Sequence, residues 1–185
     1  MFVNEIQEAV RALKAGHAVV FPTDTVCGLG VAPRYARSLQ EVYHLKRRPS
    51  NKPVAWLVGS VDDLDRYGAD VSEEARRLVA DGWPGALTVI VKASEEVPEA
   101  FRSSRGTIGL RMPASDASLA LIRAVGPLAT SSANRAGGEP PRSLEEVDPE
   151  LLAEVAARTF TGEMGAGTAS RVVDATGSVP VVLRA

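Results

Sequence analysis

A basic segment at residues 46–53 is the densest group of side chains in this sequence that could bind a ligand. It holds four cations, Lys46, Arg47, Arg48 and Lys52, and two prolines restrict its backbone. Ammonium and guanidinium groups at this spacing suit a polyphosphate, because they neutralise its charge and arginine can bind phosphate through two parallel hydrogen bonds. A solvated loop or a nucleic-acid patch has the same composition, and composition alone favours those simpler interpretations.

Hydroxyl-bearing residues follow two of the predicted strands. The segment PTDTVCGLG at 22–30 begins directly after the apolar strand predicted at 17–21. Its glycines would let backbone approach a ligand closely, whereas the simpler interpretation is a turn whose side chains satisfy backbone donors. The segment ATSSAN at 129–134 likewise lines up hydroxyls and an amide, and a buried run of hydroxyls needs polar partners from a ligand or from the backbone.

Three further features carry weaker or more ambiguous signals. Arg111 interrupts the apolar strand predicted over 107–112, and a charge there needs a partner, either a structural carboxylate or an anionic group of a ligand. A glycine-rich stretch at 162–170 lacks the Lys-Ser/Thr ending of a P-loop and is a weak phosphate signal. Cys27 has no histidine near it in sequence, so a small buried side chain is favoured over a thiol nucleophile.

Composition excludes several classes of protein. The chain has 185 residues, 45% of them hydrophobic and 24% charged, which fits one compact soluble domain. A formal charge of −2 argues against a globally basic nucleic-acid binder, and a single cysteine rules out a disulfide framework or a Cys-rich zinc module. The sequence shows neither an apolar run of the roughly 18 residues that a membrane helix needs nor a secretory signal, so we expect a cytoplasmic protein with no membrane partner.

Helical and strand patterns alternate along the chain, and these elements must position the polar segments. Ser72 before two acidic residues predicts a helix start, and Asp148-Pro149 predicts another helix that runs to about Ala157. The alternation indicates an α/β fold with a largely buried, mixed sheet in a single domain of residues 1–185. The predicted strands also include 54–58, 87–91, 107–112, 127–130, 172–174 and 179–183.

Seven blocks, taken in order, resemble the YrdC/TsaC family, the threonylcarbamoyl-AMP synthases, from about Ile6 to Arg184. One such block would be a weak match, but seven in the expected order are specific. The pairs Lys46-x-Arg48 and Ser132-x-Asn134 resemble the family's hallmark polar set. The blocks are PTDTVCGLG at 22–30, KRRPSNKP at 46–53, WPGALTVIV at 83–91, TIGLRMP at 107–113, PLATSSANRAGG at 127–138, SRVVD at 170–174 and VVLR at 181–184.

The resemblance implies a nucleotidyltransferase that makes L-threonylcarbamoyl-AMP and pyrophosphate from L-threonine, bicarbonate or CO2, and ATP, with Mg2+ accompanying ATP. This is the first step of N6-threonylcarbamoyladenosine formation at adenosine 37 of tRNA. The product would pass to a TsaD-type transferase complex, and a weak contact with tRNA stays open. The implied fold is α/β (α+β in strict terms), a YrdC-like domain whose twisted mixed β-sheet, flanked by helices, surrounds a concave cavity. The chain resembles the short form of the family.

The resemblance also carries roles onto individual residues. It assigns catalysis to the hallmark set Lys46, Arg48, Ser132 and Asn134. It assigns ATP binding to Arg48, Lys52, Thr107, Ser132, Pro140 and Arg184. It assigns threonine binding to Thr25, Leu57, Arg111, Thr130 and Ser170, with Arg111 on the threonine carboxylate. It assigns no metal ligand to a protein side chain.

Three departures from the family pattern bear on the site. Cys27 stands where the family has tyrosine, Pro140-Pro141-Arg142 replaces Ser-Pro-Thr, and Ala169-Ser170-Arg171 replaces Glu-Ser-Thr. These departures motivate one alternative, a diverged member that binds nucleotide without catalysis. The basic segment motivates another, an RNA-binding module of the same fold, which would bind with a steep salt dependence and without turnover of ATP.

Overall fold

A computed structural model describes residues 2–50, 52–159 and 164–185 of the chain. Asn51 of the basic segment and residues 162–163 of the glycine-rich stretch therefore lie outside the described residues. The helices of the described part are α1 (Phe2–Lys14), α2 (Gln40–Lys46), α3 (Asp63–Tyr67), α4 (Glu73–Gly82), α5 (Asp116–Val125) and α6 (Pro149–Glu154).

The strands of the described part form one mixed sheet. They are β1 (Val19–Phe21), β2 (Gly28–Val31), β3 (Ala55–Leu57), β4 (Gly68–Ala69), β5 (Leu87–Ala93), β6 (Thr107–Arg111), β7 (Leu128–Ser132), β8 (Ala157–Arg158), β9 (Arg171–Asp174) and β10 (Val181–Arg184). The order across the sheet is β10-β9-β5-β6-β3-β7-β2-β1-β8, and β4 pairs with β5 beside this path. Parallel pairs such as β3–β6 and β5–β9 occur among antiparallel ones such as β2–β7, which confirms the predicted mixed sheet.

The sheet buries a hydrophobic core on each of its faces. Neighbouring residues of a strand point to opposite faces. Val20 and Trp56 accordingly join the core packed by α2, α3, α4 and α6, whereas Phe21 and Leu57 join the core packed by α1 and α5. Burial on both faces explains why the strands appear in the sequence as continuous apolar runs.

Helix starts follow the capping predictions, but one helix end does not. Ser72 caps α4 and Asp148 caps α6, each by accepting a hydrogen bond from a backbone N–H of the first turn. The predicted extension of α6 to Ala157 is wrong. The helix ends at Glu154 because Ala157 belongs to β8, where it pairs in parallel with β1.

Strand β2 is an element that the sequence pattern does not predict. A Cβ atom on Gly30 would lie 2.7 Å from Oγ1 of Thr130 in the neighbouring strand β7, and one on Gly28 would lie 2.9 Å from side-chain atoms of both Phe21 and Thr130. Both glycines are therefore needed for the close packing of adjacent strands. The end of the segment is therefore a strand, because β2 pairs with β7 over 28–31 and with β1 over 28–30.

Candidate active site

The sheet face that carries α1 and α5 also borders a cavity of about 370 Å³. Its floor comes from strands distant in sequence, because pairing brings β3 beside β6 and β7, and β5 beside β9. Three lining residues are arginines, Arg48, Arg111 and Arg184, and none of the described lining residues is acidic. The remaining polar lining consists of hydroxyls, on Thr23, Thr25, Thr88, Ser103, Thr107, Thr130, Ser131, Ser132 and Ser170. Such a cavity favours anionic groups.

Ten of the thirteen residues predicted for the site line this cavity. They are Thr25, Arg48, Leu57, Thr107, Arg111, Thr130, Ser132, Pro140, Ser170 and Arg184. The fold therefore gathers the predicted threonine contacts and the predicted nucleotide contacts in one place. Their individual roles stay predictions. Lys46, Lys52 and Asn134 lie outside the described cavity lining.

Arg111 is buried in the cavity wall and held by three hydrogen bonds. Its Nη2 donates to Oδ1 of Asp24 at 2.6 Å, and its Nη1 donates to Oγ1 of Thr25 at 2.7 Å. Its Nε donates to the carbonyl oxygen of Gly85 at 3.0 Å. Burial lowers the pKa of Arg111, and the charge of Asp24 opposes that shift. The structural carboxylate that a buried charge requires is therefore Asp24.

The guanidinium of Arg111 still has donors to offer a ligand. Each terminal nitrogen carries two N–H groups and uses one of them in the bonds just described, so two N–H groups take no part in those bonds. Asp24 fixes the plane of this guanidinium group, but it is not among the thirteen residues predicted for the site. Its signal was an acidic side chain directly after a buried strand.

The loop after β1 is locked by its own side chains. The hydroxyl of Thr23 accepts from the backbone N–H of Thr25 at 3.1 Å and donates to the carbonyl oxygen of Val26 at 2.7 Å. The interpretation of this segment as a turn with satisfied backbone donors is therefore confirmed for Thr23. The same turn presents Thr25 and Asp24 to Arg111, so the turn and the candidate site are one structure.

Lys46 is buried at the end of α2, where its ammonium group binds the end of β7. Nζ donates to the carbonyl oxygen of Ser132 and, at 2.7 Å, to that of Asn134. The carbonyl oxygen of Lys46 accepts from the backbone N–H of Ala136 at 2.8 Å. Burial and the nearby charge of Arg48 lower the pKa of Lys46 to about 8. Because backbone carbonyls engage its ammonium group, Lys46 tethers Ser132 and Asn134, and the catalytic role assigned to it stays a prediction.

We expect Lys46→Met to weaken folding and activity together. Methionine fills similar space but leaves two carbonyl oxygens without their donor, and unpaired buried acceptors cost roughly 1–3 kcal/mol each. A net loss of about 2 kcal/mol lowers the melting temperature by about 4–8 °C in a chain of this size. Thermal melts and steady-state assays, run beside Lys14→Met on the exposed face of α1, measure both effects. An unchanged melting temperature would contradict the tether.

Arg48 reaches the cavity from the turn that follows α2. Its Nη1 donates to Oγ of Ser131 at 3.0 Å, and its Nη2 donates to the carbonyl oxygen of Pro53 at 3.4 Å. The preceding residue, Arg47, ends the helix in a left-handed conformation with φ of 49°. Arg47 forms an ion pair with Glu150 instead, and both side chains are exposed. Among the described cations of the basic segment, only Arg48 lines the cavity.

Asn134 and Lys52 contribute to the surroundings of the cavity. Nδ2 of Asn134 donates to the carbonyl oxygens of Gly138, at 2.7 Å, and Arg135, at 2.9 Å, which closes the loop after β7. Lys52 is exposed, and its carbonyl oxygen accepts from the Tyr43 hydroxyl at 3.0 Å. Neither residue belongs to the described cavity lining. The catalytic role assigned to Asn134 and the nucleotide contact assigned to Lys52 stay predictions.

Strands β5, β9 and β10 add a hydroxyl pair and an arginine. The hydroxyl oxygens of Thr88 and Ser170 are buried and 2.8 Å apart. Arg184 donates from Nε to the carbonyl oxygen of Ser170 at 2.8 Å, and from Nη2 to its hydroxyl at 3.3 Å. Sequence reasoning missed Thr88, although a lone threonine inside an apolar run was a usable signal. It also missed Ser103, whose hydroxyl lies 2.6 Å from that of Thr107.

Cys27 is a buried thiol in the cavity wall, as the sequence favoured. Burial raises its pKa to about 12, and the charges of Glu145 and Glu146 raise it as well. Its backbone N–H donates to the carbonyl oxygen of Pro141 at 2.7 Å, which joins the loop after β1 to the segment before α6. The thiol is protonated at neutral pH and is therefore a poor nucleophile.

Two features of the described residues concern metal ions and membranes. Within 2–50, 52–159 and 164–185, no three His, Cys, Asp or Glu side chains come together as a group that could hold a metal ion. No helix in this part of the chain is both long and apolar enough to cross a membrane.

Comparison with known proteins places the chain in a family. A family model named Sua5/YciO/YrdC and described as telomere recombination matches residues 11–185. The chain belongs to this family. A relative from Mycobacterium tuberculosis (strain H37Rv), a putative threonylcarbamoyl-AMP synthase, is 37% identical over 179 residues, which are 97% of this chain and 82% of the relative.

Two further relatives and two solved structures extend the comparison within the Sua5/YciO/YrdC family. The threonylcarbamoyl-AMP synthases of Pyrococcus abyssi and Bacillus subtilis are 33% and 34% identical and align with 97% of this chain, which spans 53% of their length. Sua5 of P. abyssi in complex with L-threonine superimposes with a TM-score of 0.90 at 33% identity, over 97% of this chain and 53% of that one. YciO of E. coli gives 0.86 at 28% identity, over 97% and 87%. These likenesses confirm the predicted fold class.

Proposed function

We propose that this chain makes L-threonylcarbamoyl-AMP and pyrophosphate from L-threonine, bicarbonate or CO2, and ATP. The observation that carries the proposal is the cavity, whose described lining has three arginines and nine hydroxyl residues but no acidic residue. Such a lining suits a reaction whose reacting groups are carboxylate, carbamate and phosphate. Relatives that are 33–37% identical bear the name of this activity.

L-Threonine binds beside Arg111 in this proposal. The two unused N–H groups of Arg111 suit its carboxylate, because a guanidinium offers parallel donors to a carboxylate. Thr25 is already fixed by Arg111, and Leu57, Thr130 and Ser170 form neighbouring walls of the cavity. Support for the ligand comes from Sua5 of P. abyssi, which was solved in complex with L-threonine.

ATP occupies the part of the cavity that Arg48 reaches. Arg48 and Arg184 supply charge for the phosphates, while Thr107, Ser132 and Pro140 line the cavity as nucleotide contacts. Lys52 lies exposed just past the turn that carries Arg48 and adds to the positive charge there. Mg2+ enters with ATP as the substrate complex.

The reaction joins two bound anions. The neutral amine of threonine adds to CO2 and gives up one proton to solvent, which leaves a carbamate, and a carbamate oxygen then attacks the α-phosphorus of ATP. A phosphorus–oxygen bond to the carbamate forms while the bond to the departing pyrophosphate breaks. The chain contributes position and charge, because holding both substrates in one cavity removes the entropy cost of their encounter and arginines stabilise the developing negative charge. Cys27 takes no covalent part, because its thiol is protonated.

The product is a mixed anhydride that needs a second enzyme to use it. We place that use in a cytoplasmic TsaD-type transferase complex that carries the threonylcarbamoyl group to adenosine 37 of tRNA, with at most a weak contact between this chain and tRNA. Residues 1–185 act as a single catalytic domain in this scheme.

A reconstitution with the pure chain tests the proposal. Incubation with ATP, Mg2+, threonine and bicarbonate should release pyrophosphate and form the adenylate in equal amounts, and leaving out threonine or bicarbonate should stop both. Saturable ATP binding without pyrophosphate release would instead identify a non-catalytic nucleotide binder. RNA binding with a steep salt dependence and no ATP turnover would identify an RNA-binding module. Either outcome would overturn the proposal.

A further inference from the structure

The last strand of the sheet leaves regular pairing just before its arginine. Val182 of β10 lies opposite Val173 of β9. The next pair along this ladder joins Arg184 to Val172, so the ladder skips Leu183. One extra residue on one strand of an antiparallel pair is a β-bulge, a feature that often redirects a side chain near a site.

The bulge decides which face of the sheet Arg184 occupies. Residues directly opposite each other in an antiparallel pair share a face, and Val172 lines the cavity. In an unbroken ladder Leu183 would lie opposite Val172, and Arg184 would lie opposite Arg171. Arg171 is exposed and lies outside the described cavity lining. The regular register would therefore turn Arg184 away from the cavity.

At the edge of the cavity, the exposed residue Arg184 is held in place but retains free donors. Two of its hydrogen bonds go to Ser170, whose hydroxyl pairs with that of Thr88. Those two bonds use two of the five guanidinium N–H groups. The positive charge of Arg184 also contributes to the lowered pKa of Arg111, so the two groups are close enough to repel each other. An anion in the cavity would relieve that repulsion.

We propose that the register of the last strand, set in this chain by the bulge at Leu183, turns Arg184 into the cavity to bind an anionic group of the substrates. The inference rests on the proposed function, and it adds that the register of the last strand determines anion binding. A purely structural role for Arg184, as a link between β10 and Ser170, is the competing explanation. Under that explanation, loss of Arg184 would alter stability without a specific effect on anion affinity.

Exchanging residues 183 and 184 tests whether anion binding depends on the position of the arginine in the strand or only on its presence. The double variant Leu183→Arg/Arg184→Leu keeps both side chains but moves the guanidinium to the skipped position. We expect it to weaken pyrophosphate binding, and to lower kcat/KM for ATP, by about tenfold or more, as much as Arg184→Leu alone, because a charge-assisted contact is lost. Deletion of Leu183 restores an unbroken ladder with the arginine opposite Val172, and we expect it to stay within about threefold of the wild type. Arg171→Leu on the neighbouring strand is the matched control and should change neither quantity.

Calorimetric titration with pyrophosphate, beside a thermal melt of each variant, keeps this test separate from turnover. The inference is overturned if the exchange binds pyrophosphate as tightly as the wild type, if Arg184→Leu does so, or if deletion of Leu183 is as damaging as the exchange. A melting temperature that falls while pyrophosphate affinity stays unchanged would identify the structural link. If the chain binds pyrophosphate in the expected order but forms no adenylate, the proposed reaction fails and the bulge still stands as the device that positions Arg184.

Discussion

Arg48→Ala is expected to lower kcat/KM by about 30- to 1,000-fold, which corresponds to about 2–4 kcal/mol of transition-state stabilisation. Among the described cations of the basic segment, Arg48 alone lines the cavity. It is partly buried, so water screens its attraction for a phosphate less than it would at an exposed site. Its hydrogen bond to Ser131 further restricts the guanidinium, so little order has to be imposed when ATP binds.

The adjacent arginine supplies a matched control for that variant. Arg47 has the same chemistry, but its side chain is 66% exposed and pairs with Glu150. Because exposed ion pairs contribute little, Arg47→Ala should stay within about threefold of the wild type. Pyrophosphate release at varied ATP concentrations, with a thermal melt for each protein, measures the contrast. Equal losses in the two variants would point to the net charge of the segment, and an Arg48→Ala protein within threefold of wild type would remove Arg48 from the site.

Composition identified the basic segment but could not rank its members. Lys46, Arg47 and Arg48 are consecutive, yet the first is buried against backbone carbonyls, the second is exposed and the third lines the cavity. The left-handed turn at Arg47 produces this division, because it ends α2 and redirects the chain. A non-glycine residue in that conformation has no distinct signature in one sequence.

Elements that depend on residues close in sequence were predictable, whereas elements that depend on contacts with a distant strand were not. The caps at Ser72 and Asp148 act within the first turn of their own helices, so the sequence alone indicates them. Strand β2 contains Gly28 and Gly30, and glycine is depleted in strands because it brings no side chain to pack. Its strand conformation depends on close packing against Thr130 of the adjacent strand, and Thr130 is too distant in sequence for a local pattern to include it.

The same distinction applies to the candidate site. Arg111 stood out in the sequence because a charge inside an apolar strand needs a partner. Its partner Asp24 lies 87 positions away, and only the assembled sheet brings the two together. Thr88 and Ser170 likewise meet only because β5 pairs in parallel with β9. Residue types could therefore be nominated from the sequence, while their pairing required the register of the sheet.

The structural and the substrate-binding interpretations of Arg111 make different demands on the same group. Asp24 needs only a cation within reach, whereas a threonine carboxylate needs two parallel donors held in one plane. Lysine meets the first demand and fails the second, because its ammonium group is a point charge without a planar pair of donors. A conservative change at this position therefore separates the two interpretations.

Arg111→Lys should raise the KM for threonine at least tenfold, while the affinity for ATP measured without threonine stays nearly unchanged. The melting temperature should also fall by several degrees, because the bonds to Thr25 and Gly85 are lost and roughly 1–2 kcal/mol goes with them. The melting temperature therefore does not distinguish the two interpretations of Arg111. The ratio of the threonine and ATP affinities does, because a general loss of packing would weaken the binding of both substrates. Arg105→Lys, at an exposed position before β6, controls for the loss of a guanidinium and should leave both affinities intact. If threonine and ATP weaken in parallel, or if the KM for threonine does not move, Arg111 serves Asp24 and not the substrate.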